Sequence, residues 1–115
     1  MMIARQLDFF SPIEPLETGA RDESLDERFA RFHARNPHVY HAFVSVARTY
    51  LRVTGRTHVG AKMVWERLRW EYALRTTDSE PALDNSYVSR YARMAALNED
   101  DLRAAFAFRK LRSVA

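Results

Sequence analysis

The four histidines of this 115-residue chain are the side chains best suited to metal or acid–base chemistry. His38 and His41 stand three residues apart, a spacing that places both on one face of a helix, while His33 and His58 fall outside the pair. No acidic ligand lies close to them in the sequence, and the chain has no cysteine, so we expect no metal site.

Other catalytic arrangements are also missing from the sequence. We find no nucleophile triad, no phosphate-binding loop and no carboxylate pair at catalytic spacing. Glu66 and Glu71 have arginines at helical spacing and are expected to pair with them. The sequence therefore predicts a protein that is not an enzyme and that needs no cofactor.

A cluster of short polar and arginine side chains raises the possibility of DNA recognition: Ser86, Ser89, Arg90 and Arg93. Near the start of a helix, such residues contact phosphates or base edges. The alternative is an ordinary solvated helix face. The linker over residues 76–84 is also longer than the three or four residues of a helix-turn-helix.

Several large aromatic residues carry a similar ambiguity, because they suit either base stacking or a protein core. Their helical spacing favours the core; they are Trp65, Trp70, Tyr72, Tyr87 and Tyr91.

Helical spacing of apolar residues and helix-capping residues indicates an all-α fold, a compact bundle of about four to five helices over residues 25–115 with a flexible N-terminal tail. Ser24 or Asp26 is expected to cap a first helix ending near Arg35, and Asn36 with Pro37 to start a second that Gly55 ends. The remaining helices are expected from about Val59 to Arg75, after a cap at Asn85 or Ser86, and after Asn98 with Leu102, Ala105, Phe106 and Phe108.

Residues 11–24, the connecting segment, contain two prolines, a glycine and clustered polar residues, a composition that predicts a flexible tether. About fourteen such residues have a root-mean-square reach of roughly 20 Å. Charge also divides here: residues 1–30 have a net charge of −4 and residues 31–115 one of +7. This asymmetry suggests that the protein has a partner.

Gln6, Leu7, Asp8, Phe9 and Phe10 form what we term the N-terminal peptide, whose residues suit capture by an apolar groove. The Gln6 amide both donates and accepts hydrogen bonds and would fix the register, while Leu7 adds apolar contact. Asp8 is expected to face solvent or a backbone donor, and Phe9 and Phe10 to enter an apolar pocket. Alternatively, the apolar residues fold back as a clip on the body.

The N-terminal peptide resembles the pentapeptide with which many bacterial polymerases and repair proteins bind the sliding clamp of DNA polymerase. That family pattern is glutamine, leucine, serine or aspartate, leucine, phenylalanine, so Phe9 stands where the family most often has leucine. The resemblance implies clamp binding in competition with replication and repair proteins, as in the SocB-type toxins that block elongation. It also implies an antitoxin or a protease adaptor as a further partner.

Three stretches of the body, residues 32–40, 68–71 and 89–93, are similar to segments of small uncharacterised proteins from phages and bacterial genomes. This resemblance implies no activity. No apolar run is long enough for a signal peptide or a membrane span, so we expect a cytoplasmic protein with no membrane partner. The hypotheses are thus a clamp ligand that inhibits DNA replication and, as the alternative, a helical DNA-binding regulator.

Overall fold

A computed structural model describes residues 10–75 and 83–107, and within these ranges the secondary structure is helical, without strands. The α-helices are α1 (Leu25–Arg35), α2 (Pro37–Thr54), α3 (Ala61–Arg75) and α4 (Val88–Asn98). Two short 3₁₀ turns, Asn85–Tyr87 and Asp100–Leu102, flank α4. The predicted all-α bundle is confirmed. In the described part of the chain, no helix has the length and apolar character needed to cross a bilayer.

Local sequence signals set the ends of α1 and α2. Ser24, not Asp26, caps α1: the Glu27 N–H donates to Ser24 Oγ at 3.1 Å, and the Ser24 N–H donates to the Glu27 carboxylate at 2.8 Å. Gly55 ends α2 in the left-handed conformation with φ of 72°, and its N–H donates to the Leu51 carbonyl. Both ends follow the predicted pattern.

The start of α4 and the chain that follows it differ from the prediction. Asp84, rather than Asn85 or Ser86, accepts a hydrogen bond from the Ser86 N–H at 2.9 Å and starts a 3₁₀ turn that leads into α4. The expected last helix is, over the described residues, only the turn Asp100–Leu102. Beyond this turn the Ala105 carbonyl accepts a hydrogen bond from the Val59 N–H at 2.9 Å, so a tertiary contact replaces a helical one. Phe108 lies outside the described residues.

Aromatic side chains from α2, α3 and α4 form the centre of the core. The Trp65 and Tyr91 rings stack with centroids 5.7 Å apart, and the Phe43 ring lies 6.2 Å from that of Tyr91. All three side chains are fully buried. Tyr72 and Tyr87 are buried as well, which confirms the core assignment for four of the five aromatics whose role was ambiguous. The exception is Trp70, whose side chain is 53% exposed.

Candidate functional site

Phe10 is the residue of the N-terminal peptide that falls within the described ranges; Gln6, Leu7, Asp8 and Phe9 lie outside them. Its ring meets the Tyr72 ring of α3 edge-on, with centroids 5.2 Å apart. The Arg75 guanidinium lies 4.6 Å from the centroid of Phe10, a cation–π contact. Phe10 is therefore packed on its own body, as the clip interpretation expects for this residue, yet it stays partly exposed.

Beside Phe10, a single carboxylate is shared by two guanidinium groups. Arg67 donates to Glu71 Oε2 at 2.9 Å, and Arg75 donates to Glu71 Oε1. Burial disfavours the charged form of Glu71, but the hydrogen bonds from Arg75 and Arg67 outweigh it and lower the pKa of this carboxyl. The predicted pairing of Glu71 with neighbouring arginines is confirmed. One anion against two cations leaves this surface with a net positive charge.

Phe10 also lines one part of an apolar groove between α2 and α3, with a volume of about 470 Å³. We term it the α2–α3 groove; its apolar lining comes mainly from Val46, Tyr50, Val53 and Met63. Val53 is 75% exposed and Met63 45% exposed, so the groove presents apolar surface to solvent. The sequence did not indicate this groove, because it is formed by residues of two different helices that lie side by side.

The connecting segment has no helix or strand, as its composition predicts, but it is attached to the body at Glu14. The Glu14 N–H donates to Asn36 Oδ1 at 2.8 Å, and Asn36 Nδ2 donates to the Glu14 carbonyl at 3.0 Å. Asn36 was expected to cap α2, yet its side chain makes no capping bond there. Its side chain instead fastens the connecting segment to the junction of α1 and α2.

Acidic residues near the N-terminus form ion pairs with arginines of the body, so the two oppositely charged regions of the sequence contact each other. Arg31 Nε lies 2.5 Å from the Glu23 carboxylate, and Arg35 approaches Glu14 at 3.7 Å and Glu17 at 3.5 Å. The hydrogen bond from Arg31 is the main cause of a lowered pKa at Glu23. The opposite charges of the two regions thus meet within one molecule, and they do not by themselves require a second partner.

His38 lies where the connecting segment crosses the start of α2. Burial lowers the pKa of His38, and its interactions with the Ser11 and Pro12 backbone and with Glu14 oppose that shift only in part. Its Nε2 atom is buried and has no hydrogen-bond partner among the residues that the structure describes. Burial also lowers the pKa of His33, whose Nδ1 lies 3.3 Å from the Tyr91 hydroxyl. Among the described residues, no three His, Cys, Asp or Glu side chains gather closely enough to hold a metal ion.

The residues singled out for DNA contact are brought together at the start of α4, where Arg90 and Ser86 bind carboxylates of the protein itself. Arg90 donates to Asp26 of α1 at 2.7 Å. Ser86 Oγ donates to Asp84 Oδ1 at 2.5 Å, and Asp84 also pairs with Arg28 at 2.7 Å. Ser89 and Arg93 are exposed on the same helix. Carboxylates are thus interleaved with the arginines on this face.

Comparison of the chain with models of protein families, with curated proteins and with solved structures finds no match.

Proposed function

We propose that this protein binds the bacterial DNA-polymerase sliding clamp through its N-terminal peptide and thereby competes with replication and repair proteins. The observation that carries the proposal is the order Gln6, Leu7, Asp8, Phe9, Phe10 close to the N-terminus, followed by a segment without helix or strand. An extended peptide of this kind presents one hydrogen-bonding side chain and three apolar ones to a groove.

The position of Phe10 supports an exchange of partners. Its ring rests on Tyr72 and under Arg75 at the surface, and it is not enclosed in the core. Transfer of a phenylalanine ring into a deep apolar pocket buries roughly 150–250 Å². A partly exposed ring gains part of that burial when it moves from its own body to a clamp pocket.

Inhibition of DNA replication follows from this binding mode as the proposed consequence. A protein that occupies the clamp pocket used by polymerases acts as a competitor of those polymerases. This is the mode of the SocB-type toxins, and the resemblance of the N-terminal peptide to clamp-binding pentapeptides supports it. An antitoxin or a protease adaptor is the proposed further partner, because such an inhibitor requires control.

A helical DNA-binding role has weaker support from the described residues. Arg90 is paired with Asp26, and Ser86 with Asp84, so these side chains are already engaged within the protein. We keep DNA contact as an accessory to clamp binding, since the clamp encircles DNA and the body carries excess positive charge.

The direct test is a binding titration of the full chain with a purified bacterial sliding clamp. We expect Gln6→Ala and Phe10→Ala each to weaken binding at least about tenfold, the equivalent of about 1.4 kcal/mol. Leu97→Ala is the matched control, because Leu97 is an apolar residue that is 83% exposed on α4. Failure of the wild-type chain to bind, or equal binding by a variant that combines Gln6→Ala with Phe10→Ala, refutes the proposal.

A further inference from the structure

We propose that the α2–α3 groove is an intramolecular binding site for residues 6–9, so that the protein binds its own N-terminal peptide. The groove and the clamp pocket then compete for the same side chains. The regulatory part of this inference rests on the proposed function; the self-docking itself does not.

The placement of Phe10 fixes the point on the body from which the preceding residues start. Phe10 contacts Tyr72 and Arg75 at the end of α3. It lines the groove together with α2 residues up to Thr54 and α3 residues back to Met63. After Phe10 the chain runs towards the start of α2, where Glu14 binds Asn36. The groove extends from Phe10 the other way, towards the end of α2. Residues that precede Phe10 therefore enter the groove if the chain keeps its direction.

The length of the groove matches the length of the peptide. Its α2 lining runs from Ser45 to Thr54. At about 1.5 Å per helical residue, this stretch measures about 14 Å. Four extended residues span about 13 Å at about 3.3 Å each. Residues 6–9 are therefore sufficient to cover the groove.

The chemistry of the groove suits the same residues. Its lining from Val46, Tyr50, Val53 and Met63 offers apolar contact to Leu7 and Phe9. Arg67 and Arg75 share the single carboxylate of Glu71, and the positive charge left over complements Asp8.

Self-docking would set the affinity for the clamp. A peptide that is free in only a tenth of the molecules binds a competing pocket about tenfold more weakly than a peptide that is always free. Substitutions that prevent the groove from binding the peptide, and leave the peptide sequence unchanged, are therefore expected to strengthen binding to the clamp. This gain in affinity for the clamp distinguishes a groove that competes for the peptide from a surface that only stabilises the fold.

The docking itself can be measured without any clamp. Because the chain has no cysteine, Ala4→Cys provides a unique site for a nitroxide spin label outside the N-terminal peptide. In the ¹⁵N-labelled full chain we expect strong paramagnetic broadening of the Thr49, Val53 and Met63 amides, relative to the reduced label. The double variant Val53→Glu with Met63→Glu is expected to abolish it. Leu97→Glu, a similarly exposed site on α4, is expected to leave it unchanged.

Other occupants give different signals in the same experiment. Broadening in a mixture of spin-labelled chain with separate ¹⁵N-labelled chain assigns the groove to a second copy and overturns the proposal. Broadening of the groove amides from a label at Ser113→Cys, with none from Ala4→Cys, assigns it to the C-terminal residues and also overturns the proposal. Absence of broadening from every label overturns it as well.

A clamp titration then separates the two proposals. With self-docking established, we expect the Val53→Glu, Met63→Glu variant to bind the clamp about tenfold more tightly than the wild type. Equal or weaker clamp binding by that variant overturns the regulatory part of the inference. If no variant binds the clamp while the groove broadening persists, the proposed function fails and the self-docking stands.

Discussion

The side-chain amide of Asn36 holds the backbone of Glu14 through two hydrogen bonds. The Glu14 N–H donates to Asn36 Oδ1 at 2.8 Å, and Asn36 Nδ2 donates to the Glu14 carbonyl at 3.0 Å. The same Nδ2 donates to the Phe32 carbonyl at 3.3 Å, and Asn36 is fully buried. One amide thus joins the connecting segment to the junction of α1 and α2.

Replacement of Asn36 by alanine is expected to destabilise the protein and to release the connecting segment. The change removes the three hydrogen bonds of a fully buried side-chain amide, at a cost of roughly 1–3 kcal/mol. Urea denaturation should show this loss in the free energy of unfolding. Cleavage by trypsin after Arg21, which is exposed in the connecting segment, should also accelerate.

The exposed Asn98 at the end of α4 supplies the control for that substitution. Asn98→Ala is expected to change the stability by less than about 0.5 kcal/mol, as surface substitutions ordinarily do. If Asn36→Ala is no more destabilising than Asn98→Ala, and trypsin cleaves both variants at the same rate, the role given to Asn36 is wrong.

Stability is expected to fall as the pH is lowered from 7 towards 5. Burial lowers the pKa of both His33 and His38 below the value of 6.5 that applies to an unfolded chain. Below pH 6.5 the unfolded state binds more protons at these histidines than the folded state does. The free energy of unfolding therefore keeps its full value above pH 6.5 and declines as the pH falls from 6.5 through the lowered pKa values of the folded state. Thermal melting at pH 7.5, 6.5 and 5.5 measures the effect.

Replacement of His38, which lies beneath the connecting segment, measures how much of the loss of stability at low pH comes from this histidine. We expect His38→Gln to flatten the dependence of the melting temperature on pH, whereas replacement of the exposed His58 by glutamine should not. Identical pH profiles for the wild type and His38→Gln would rule out this role.

The two tryptophans are expected to differ sharply in their effect on stability. Trp65 is fully buried and stacked on Tyr91, so Trp65→Ala should cost about 3–5 kcal/mol and leave little folded protein. Trp70 is half-exposed beneath Arg67, and Trp70→Ala should cost less than about 1 kcal/mol. Circular dichroism during urea denaturation tests both; similar losses for the two variants would contradict the assignment of the core.

The DNA-binding alternative predicts that substitution of Arg90 lowers the affinity for DNA. Because Arg90 is already paired with Asp26, we expect the affinity to change little. We expect Arg90→Ala to change affinity for a DNA duplex at low salt no more than Lys62→Ala does at an exposed position on α3. A fluorescence anisotropy titration over several salt concentrations gives the answer. A selective loss at Arg90, with a smaller salt dependence, would restore the recognition-helix hypothesis.

The elements that could be predicted from sequence are those determined by neighbouring residues. Ser24 with Glu27, and Gly55 at the end of α2, act within one turn of a helix, so their patterns sufficed. The aromatic core also followed from periodicity, since Trp65 and Tyr72 are seven residues apart and Tyr87 and Tyr91 four, both of which are helical spacings.

Features that depend on residues far apart in the chain were not predictable in this way. The bond between Asn36 and Glu14 joins residues 22 positions apart, and no local pattern distinguishes it from a helix cap. The α2–α3 groove arises only where two helices meet, and the ion pair between Arg48 on α2 and Asp101 joins residues 53 positions apart. The clamp-binding role of the N-terminal peptide remains a prediction, based on five residues.

The measurement that tests the central claim most directly is displacement of a fluorescent clamp-binding peptide from a purified bacterial sliding clamp. We expect the full chain to displace the probe completely, because both occupy one pocket, and the Gln6→Ala, Phe10→Ala double variant to displace it at least about a hundredfold less well. Leu97→Ala should match the wild type. A full chain that leaves the probe bound at saturating concentration, or a double variant that displaces it equally well, would contradict the claim.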